Sequence, residues 1–371
     1  MEPSRLMVGG SGGAHCTIQT IDAPRRRQGA VPRELPMPRA RYSRRDLIGP
    51  RPAQQVHSTI AVGRSIICGT SRIRLRPFQT RRERMTSARS ATRPMDDPRP
   101  WEQIREHYEI EKELAARLRR ANAEERRGLY PIVYGELMRR VPHHPSLAHR
   151  RDSKRQAPPT SEEAGLIKRF VGPQDTYLEL GPGDGSLAVL VAAHARRVIV
   201  VDVTDESVRT FHTPDNFELV LTDGTSIPVP DASVNVAFSN QVMEHLHPED
   251  ALAQLREIHR ILVPGGIYLC ITPNRLSGPH DISRYFDDVA TGLHLREYTN
   301  GEVAGIFRRT GFRKCRRILS RGSRVMVLPV FPAPWLEWLL ERLPAPMRRA
   351  AASWLLLRLL MGGDVKILAR K

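Results

Sequence analysis

Between Tyr177 and Thr272 short apolar runs alternate with helical patterns, and few folds accept that alternation. The runs are Tyr177–Leu180, Arg197–Asp202, Phe217–Leu221, Val234–Ser239 and Ile267–Thr272. They read as strands buried by helices, and strands joined through helices run parallel in one sheet. The prediction is an α/β fold: a doubly wound, mostly parallel, Rossmann-like sheet. Open sheets of this kind bind ligands beyond the carboxyl ends of their strands, so the loops after each run matter most.

The first of these loops is Gly181-Pro182-Gly183-Asp184-Gly185, after which Ser186 opens a helical pattern. Glycine lets a ligand approach the backbone without meeting a Cβ and permits angles other residues avoid. Its glycines recur at every second position, with Glu179 two residues ahead, which departs from the G-x-G-x-x-G spacing of dinucleotide sites. The next two strands also end on acids: Asp202, and Asp223 within Thr222-Asp223-Gly224-Thr225. Asp202 lies where a βαβ unit brings a carboxylate to a ribose.

The pattern Glu-x-Gly-x-Gly-x-Gly resembles the first motif of class I S-adenosylmethionine-dependent methyltransferases. Phe238-Ser239-Asn240-Gln241-Val242-Met243-Glu244-His245-Leu246 resembles the fourth motif, and Leu262-Val263-Pro264-Gly265-Gly266 before a strand recurs in the same family. The resemblance covers roughly residues 161–312. It implies a seven-stranded sheet and S-adenosyl-L-methionine as cofactor, held by Glu179, Gly181, Gly183, Gly185, Asp202 at the ribose, Asp223 near the adenine amino group, Gly224 and Asn240. The activity it implies is that of a methyltransferase (EC 2.1.1.-).

Acceptor chemistry points to the loops after the fifth strand, Pro273–Ser283 and Gly292–Thr299, which are dense in His, Asp and Glu. His245 and His280 are the candidate general bases, since imidazole titrates near neutrality. Asp281, His294 and Glu297 are candidate substrate residues. The Glu244-His245 pair resembles the ubiquinone-pathway O-methyltransferases, whose metal segment carries a further acid. Gln241 stands where that acid belongs, and no metal ligand is assigned. The expected acceptor is a small molecule, a glycan precursor or a lipid-linked metabolite. A nucleic-acid acceptor is disfavoured, because no basic patch with interleaved aromatics occurs in the catalytic region.

Two segments flank the catalytic pattern. Residues 96–159 are expected to form amphipathic helices, one from Trp101 and one opened by Pro131, that pack on the domain or cover its site, followed by a linker. Residues 160–371 form the domain, with an insert at 331–361 of two Trp/Leu-rich helices, Trp335–Leu343 and Arg348–Met361. The insert is read as packing, as a cap, or as a peripheral membrane contact for a lipidic acceptor. Residues 1–95 are Arg/Pro-rich and read as a disordered extension. Met1–Arg84 holds 17 Arg, no Lys and 5 acids, about +12 of the net +18, so the basicity says little about the folded part. An alternative reading is a noncatalytic methyltransferase-like scaffold, or an RNA-binding protein using that arm. Four scattered cysteines and no long apolar run suggest a cytoplasmic setting, peripheral to a membrane at most. Oligomeric state is not legible.

Overall fold

The computed structural model describes residues 97–145, 147, 161–205, 214–321, 324–354, 356–357 and 362–371. The expected disordered extension at 1–95, the linker His149–Pro159 and the end of the insert at 358–361 lie outside the described residues.

The sheet has strands β1 (Thr176–Leu180), β2 (Arg197–Asp202), β3 (Phe217–Leu221), β4 (Val234–Asn240), β5 (Leu262–Thr272), β6 (Arg313–Arg321), β7 (Arg324–Pro329) and β8 (Val365–Arg370). Their order is β3-β2-β1-β4-β5-β8-β6-β7. The first five are parallel to their neighbours, while β8 runs antiparallel between β5 and β6. That makes eight strands rather than seven. The additional one is β7, which pairs antiparallel with β6 at the sheet edge. Its apolar residues, Val325 to Leu328, read as strand in the sequence, but none of the strand is fully buried, as suits an edge strand with one neighbour.

All five residues of β1 are buried because both faces are covered. Leu178, Leu180, Ile199 and Val201 face one apolar core, shared with helices α1 (Trp101–Arg120), α2 (Ala123–Arg140), α5 (Pro248–Ile261) and α6 (Asn300–Arg309). Tyr177, Val198, Val200 and Phe238 face the other, with α3 (Ser161–Ile167) and α4 (Ser186–Ala192). The chain leaves β1 toward β2 and β3, then returns to place β4 on its other side. The gap beyond β1 and β4 is therefore the topological switch point.

Helix α2 corrects one expectation, since Pro131 lies inside it and does not open it. Asn122 starts it with a capping box, its side chain accepting from the Glu124 and Glu125 amides while Glu125 accepts from the Asn122 amide. Buried Arg126 then ties α2 to the start of α5. Its Nε donates to Asp250 Oδ2 at 2.5 Å and its Nη2 to Asp250 Oδ1 at 3.0 Å, while Tyr130 Oη donates to the same carboxylate at 2.7 Å. The insert contributes α7 (Ala333–Leu340) and α8 (Ala345–Ser353).

Candidate active site

At the switch point a cavity of about 250 Å³ opens beyond the ends of β1, β2, β3 and β4. Its floor is Leu180, Gly181, Gly183 and Asp202; Thr222 and Gly224 line one end, and Gln241, Val242 and His245 the other. The side chains of Tyr130, Tyr134 and Met138 on α2 form a wall. The glycines earn their places individually. Gly181 has φ +61°, and a Cβ there would lie 2.7 Å from Val242 Cγ2. At Gly183, also at φ +61°, a Cβ would meet nothing within 4 Å, so the loop backbone faces open space. Gly224 has φ +90°, and a Cβ would meet the Tyr130 ring at 2.9 Å.

The other expected cofactor residues are distributed unevenly. Asp202 reaches the cavity from the end of β2, where its Oδ1 accepts from the Thr204 amide at 3.2 Å. Gly185 caps α4 at φ +72° and does not line the cavity. Asp223 is turned into its own loop, where Oδ1 accepts from the Thr225 amide, the Thr225 hydroxyl and the Ser226 amide. Burial works against its charge, but these donors hold its pKa below the ordinary value. Glu179 lies on the opposite face of β1, where its Oε2 accepts from Tyr177 Oη at 3.1 Å. Burial pushes its pKa up to about 8, so it is protonated at neutral pH. Asn240 Nδ2 donates to Glu163 Oε1 at 2.5 Å, also outside the cavity lining.

The acceptor-side residues form one hydrogen-bonded group. Glu297 Oε1 accepts from the His280 amide at 2.7 Å and pairs with His294 Nδ1 at 2.9 Å. Asp281 Oδ2 accepts from the His294 amide at 3.3 Å, and its Oδ1 caps a short turn at Ser283. The exposed His280 ring sits against Asn274 O and Ser277 Oγ, each 3.1 Å from Nε2. His245 alone of this group lines the cavity. Its Nδ1 lies 3.1 Å from Leu293 O, and because a carbonyl only accepts, Nδ1 carries the proton and Nε2 the lone pair. Burial pushes its pKa down to about 3, which keeps the ring neutral.

Glu111 and Tyr134 carry no signal that composition or spacing could isolate, whereas Glu244 stands out in the sequence only as the neighbour of His245. Glu111 of α1 accepts from the Leu293 amide at 3.1 Å and pairs with His107 at 2.8 Å, anchoring the residue whose carbonyl meets His245. Glu244 is fully buried; its Oε2 accepts from Thr272 Oγ1 at 2.9 Å while Oε1 has no hydrogen-bond partner. Burial raises its pKa to about 7. The Tyr134 hydroxyl on the cavity wall is likewise without a partner. Glu244, His245 and His294 offer donor atoms within 4.8 Å of one another, a set able to take a divalent ion after contraction. A His-Glu-His group of the same kind occurs at His107, Glu111 and His144.

Residues 178–270 match the family described as methyltransferase domain. A probable S-adenosylmethionine-dependent methyltransferase of Mycolicibacterium smegmatis is 36% identical over 138 residues, covering 36% of this chain and 51% of that protein. One from Mycobacterium tuberculosis is 34% identical over 138 residues, 36% of this chain and 47% of that protein. A ubiquinone/menaquinone biosynthesis C-methyltransferase of Rubrivivax gelatinosus is 34% identical over 107 residues, 28% of this chain and 42% of that protein. The chain spans about half the length of these curated relatives or less.

Proposed function

Given that the domain at 178–270 belongs to the class I S-adenosylmethionine-dependent methyltransferase family, we propose that this protein transfers a methyl group from S-adenosyl-L-methionine to an acceptor bound beside His245. The observation that carries the reading is the cavity at the switch point, with its positive-φ glycine floor, Asp202 at a strand end and the unpartnered Tyr134 hydroxyl on its wall. A buried hydroxyl without a partner is costly, and a bound polar ligand would remove that cost.

S-adenosylmethionine supplies a methyl group already activated on a positively charged sulfur. The chain's part is mainly to hold and align, and positioning can contribute about 7–11 kcal/mol. Gly181 and Gly183 bring backbone to the donor, Asp202 accepts from its ribose hydroxyls, and the Thr222–Gly224 turn borders the adenine. Asp223 acts there by shaping the turn, since its Oδ1 is taken by Thr225 and Ser226 and its Oδ2 faces Arg127 at 3.8 Å. Gly185 and Asn240 support the loop and the β4 end from outside the lining. Glu179 serves from beneath as a neutral acid on the opposite face of β1.

His245 is the base for a hydroxyl or amine acceptor. With its pKa held at about 3 it first orients the acceptor by accepting a hydrogen bond, and takes the proton only as methyl transfer makes that proton acidic. Its neutral ring keeps a lone pair on Nε2, and Leu293 O fixes the tautomer. His294, Glu297 and Asp281 orient that region, and His280 is joined to them through Glu297. The acceptor is a small molecule, a glycan precursor or a lipid-linked metabolite. Calorimetry with the demethylated cofactor product tests the donor site, and absence of heat refutes it. Labelled S-adenosylmethionine with a cell extract, followed by mass identification of the labelled product, then identifies the acceptor.

A further inference from the structure

The insert helices turn an apolar surface outward. Trp335, Trp338 and Leu339 of α7 are 57%, 53% and 47% exposed, and their i, i+3, i+4 spacing places them on one stripe. The opposite side of α7 is already satisfied: Ala333, Glu337 and Leu340 are buried, and Leu340 packs with Leu276 and Ala352. Packing among the described residues therefore does not explain the stripe. Phe331 before α7, and Met347 and Trp354 around α8, extend the exposure. A soluble helix of this length ordinarily shows charge on its outer face.

Among the described residues, the charges around the stripe that lack an ion-pair partner have one sign. Glu337 is consumed inside, accepting from the Asn300 and Gly301 amides, and Glu341 is paired with Arg275. Arg342 has no ion pair among the described residues and lies over the Trp338 ring, 3.2 Å from its centroid. Arg348 likewise has none. Arg342 also donates to Trp338 O at 2.7 Å, which holds its guanidinium at the indole. Indole rings favour the boundary between headgroups and acyl chains, and guanidinium groups without a carboxylate partner favour anionic headgroups. From this surface we infer that α7 and α8 dock the protein on an anionic lipid bilayer.

The same helices border the acceptor side. Leu276 and Arg348 line a second cavity, about 430 Å³, whose wall includes Glu297, the partner of His294. A bilayer held at α7 would thus present a lipid-linked acceptor near the residues assigned to it. This last step rests on the methyltransferase reading; the docking itself does not.

The test is co-sedimentation of the full-length chain with vesicles of phosphatidylcholine alone and of phosphatidylcholine with phosphatidylglycerol. The Arg-rich N-terminal segment also attracts anionic lipid, so the assay is repeated at high salt, which screens exposed charge. The chain is expected to sediment with the anionic vesicles and to remain largely bound at high salt. The double variant Trp335→Ser/Trp338→Ser is expected to lose roughly tenfold or more of that salt-resistant binding, since each indole removes several buried carbon groups from the bilayer. Calorimetry with the demethylated cofactor product checks that the variant is folded, and loss of that heat in the wild type sinks the methyltransferase reading alone. Equal sedimentation of variant and wild type, or no salt-resistant binding by the wild type, overturns the docking. So does a dimer of the wild type that the double variant abolishes, which would assign the stripe to a second copy.

Discussion

Gly181→Ala separates two physical costs that are usually confounded. At φ +61° a residue with a Cβ pays about 1–2 kcal/mol for the left-handed conformation. The same Cβ would stand 2.7 Å from Val242 Cγ2, and a β-branched side chain has little rotameric freedom to retreat. Overpacking of this kind adds about 1–3 kcal/mol, so the total destabilisation should be about 2–5 kcal/mol. Val242 lines the donor cavity, so relief by moving it narrows the site and should weaken binding of the demethylated product by about tenfold or more. The assay is urea denaturation with calorimetry, run as a cycle with Val242→Ala. In the Val242→Ala background the Gly181→Ala cost should shrink to the conformational part, about 1–2 kcal/mol, and affinity should recover. An equal cost in both backgrounds would show that the contact with Val242 has no energetic consequence, and the argument for Gly181 as a close-approach glycine would fail.

Asp202→Ala should weaken donor-site affinity by about tenfold or more through lost charge-assisted bonds, and unchanged calorimetric affinity would remove it from the site. Glu244 holds a proton in the folded protein up to about pH 7 that an ordinary glutamate releases near 4.5, so its burial costs stability as pH rises through that window. Glu244→Gln should therefore be more stable relative to wild type at pH 8 than at pH 4, and a melting-temperature difference that is flat with pH contradicts this. Arg126→Met leaves Asp250 buried without its cation and should cost about 3–5 kcal/mol in urea denaturation; a near-neutral change would mean that α2 is not held by that pair. His245→Gln should preserve affinity for the demethylated product while lowering turnover by on the order of a hundredfold, and full turnover would dismiss it as the base.

The central sheet was legible because buried parallel strands leave continuous apolar runs, and the turn after β1 because Gly181 and Gly183 both sit at φ +61°, a conformation that favours glycine. The strand character of β7 shows in Val325, Met326, Val327 and Leu328, but its pairing at the sheet edge and the boundaries of α2 were harder. The capping box at Asn122 outweighed the local signal of Pro131. Asp223 shows a different limit. Its position after β3 is readable, but whether its carboxylate faces a ligand or its own turn depends on Thr225 and Ser226 donating to it. Glu111 was beyond reach for a further reason, since its partner, the Leu293 amide, lies 182 residues away in the chain. Glu244 stood out beside His245, but its burial against Thr272 did not.

The attachment of α2 through Arg126 and Tyr130 has an evolutionary side. The wall bearing Tyr134 and Met138 precedes the matched range 178–270, so the donor floor and its roof are separate pieces of sequence. They meet at Asp250, which lies within the matched range. A lineage that kept this latch could redraw the roof's inner surface, and with it the shape offered to acceptors, while leaving the loop proposed to hold the donor untouched.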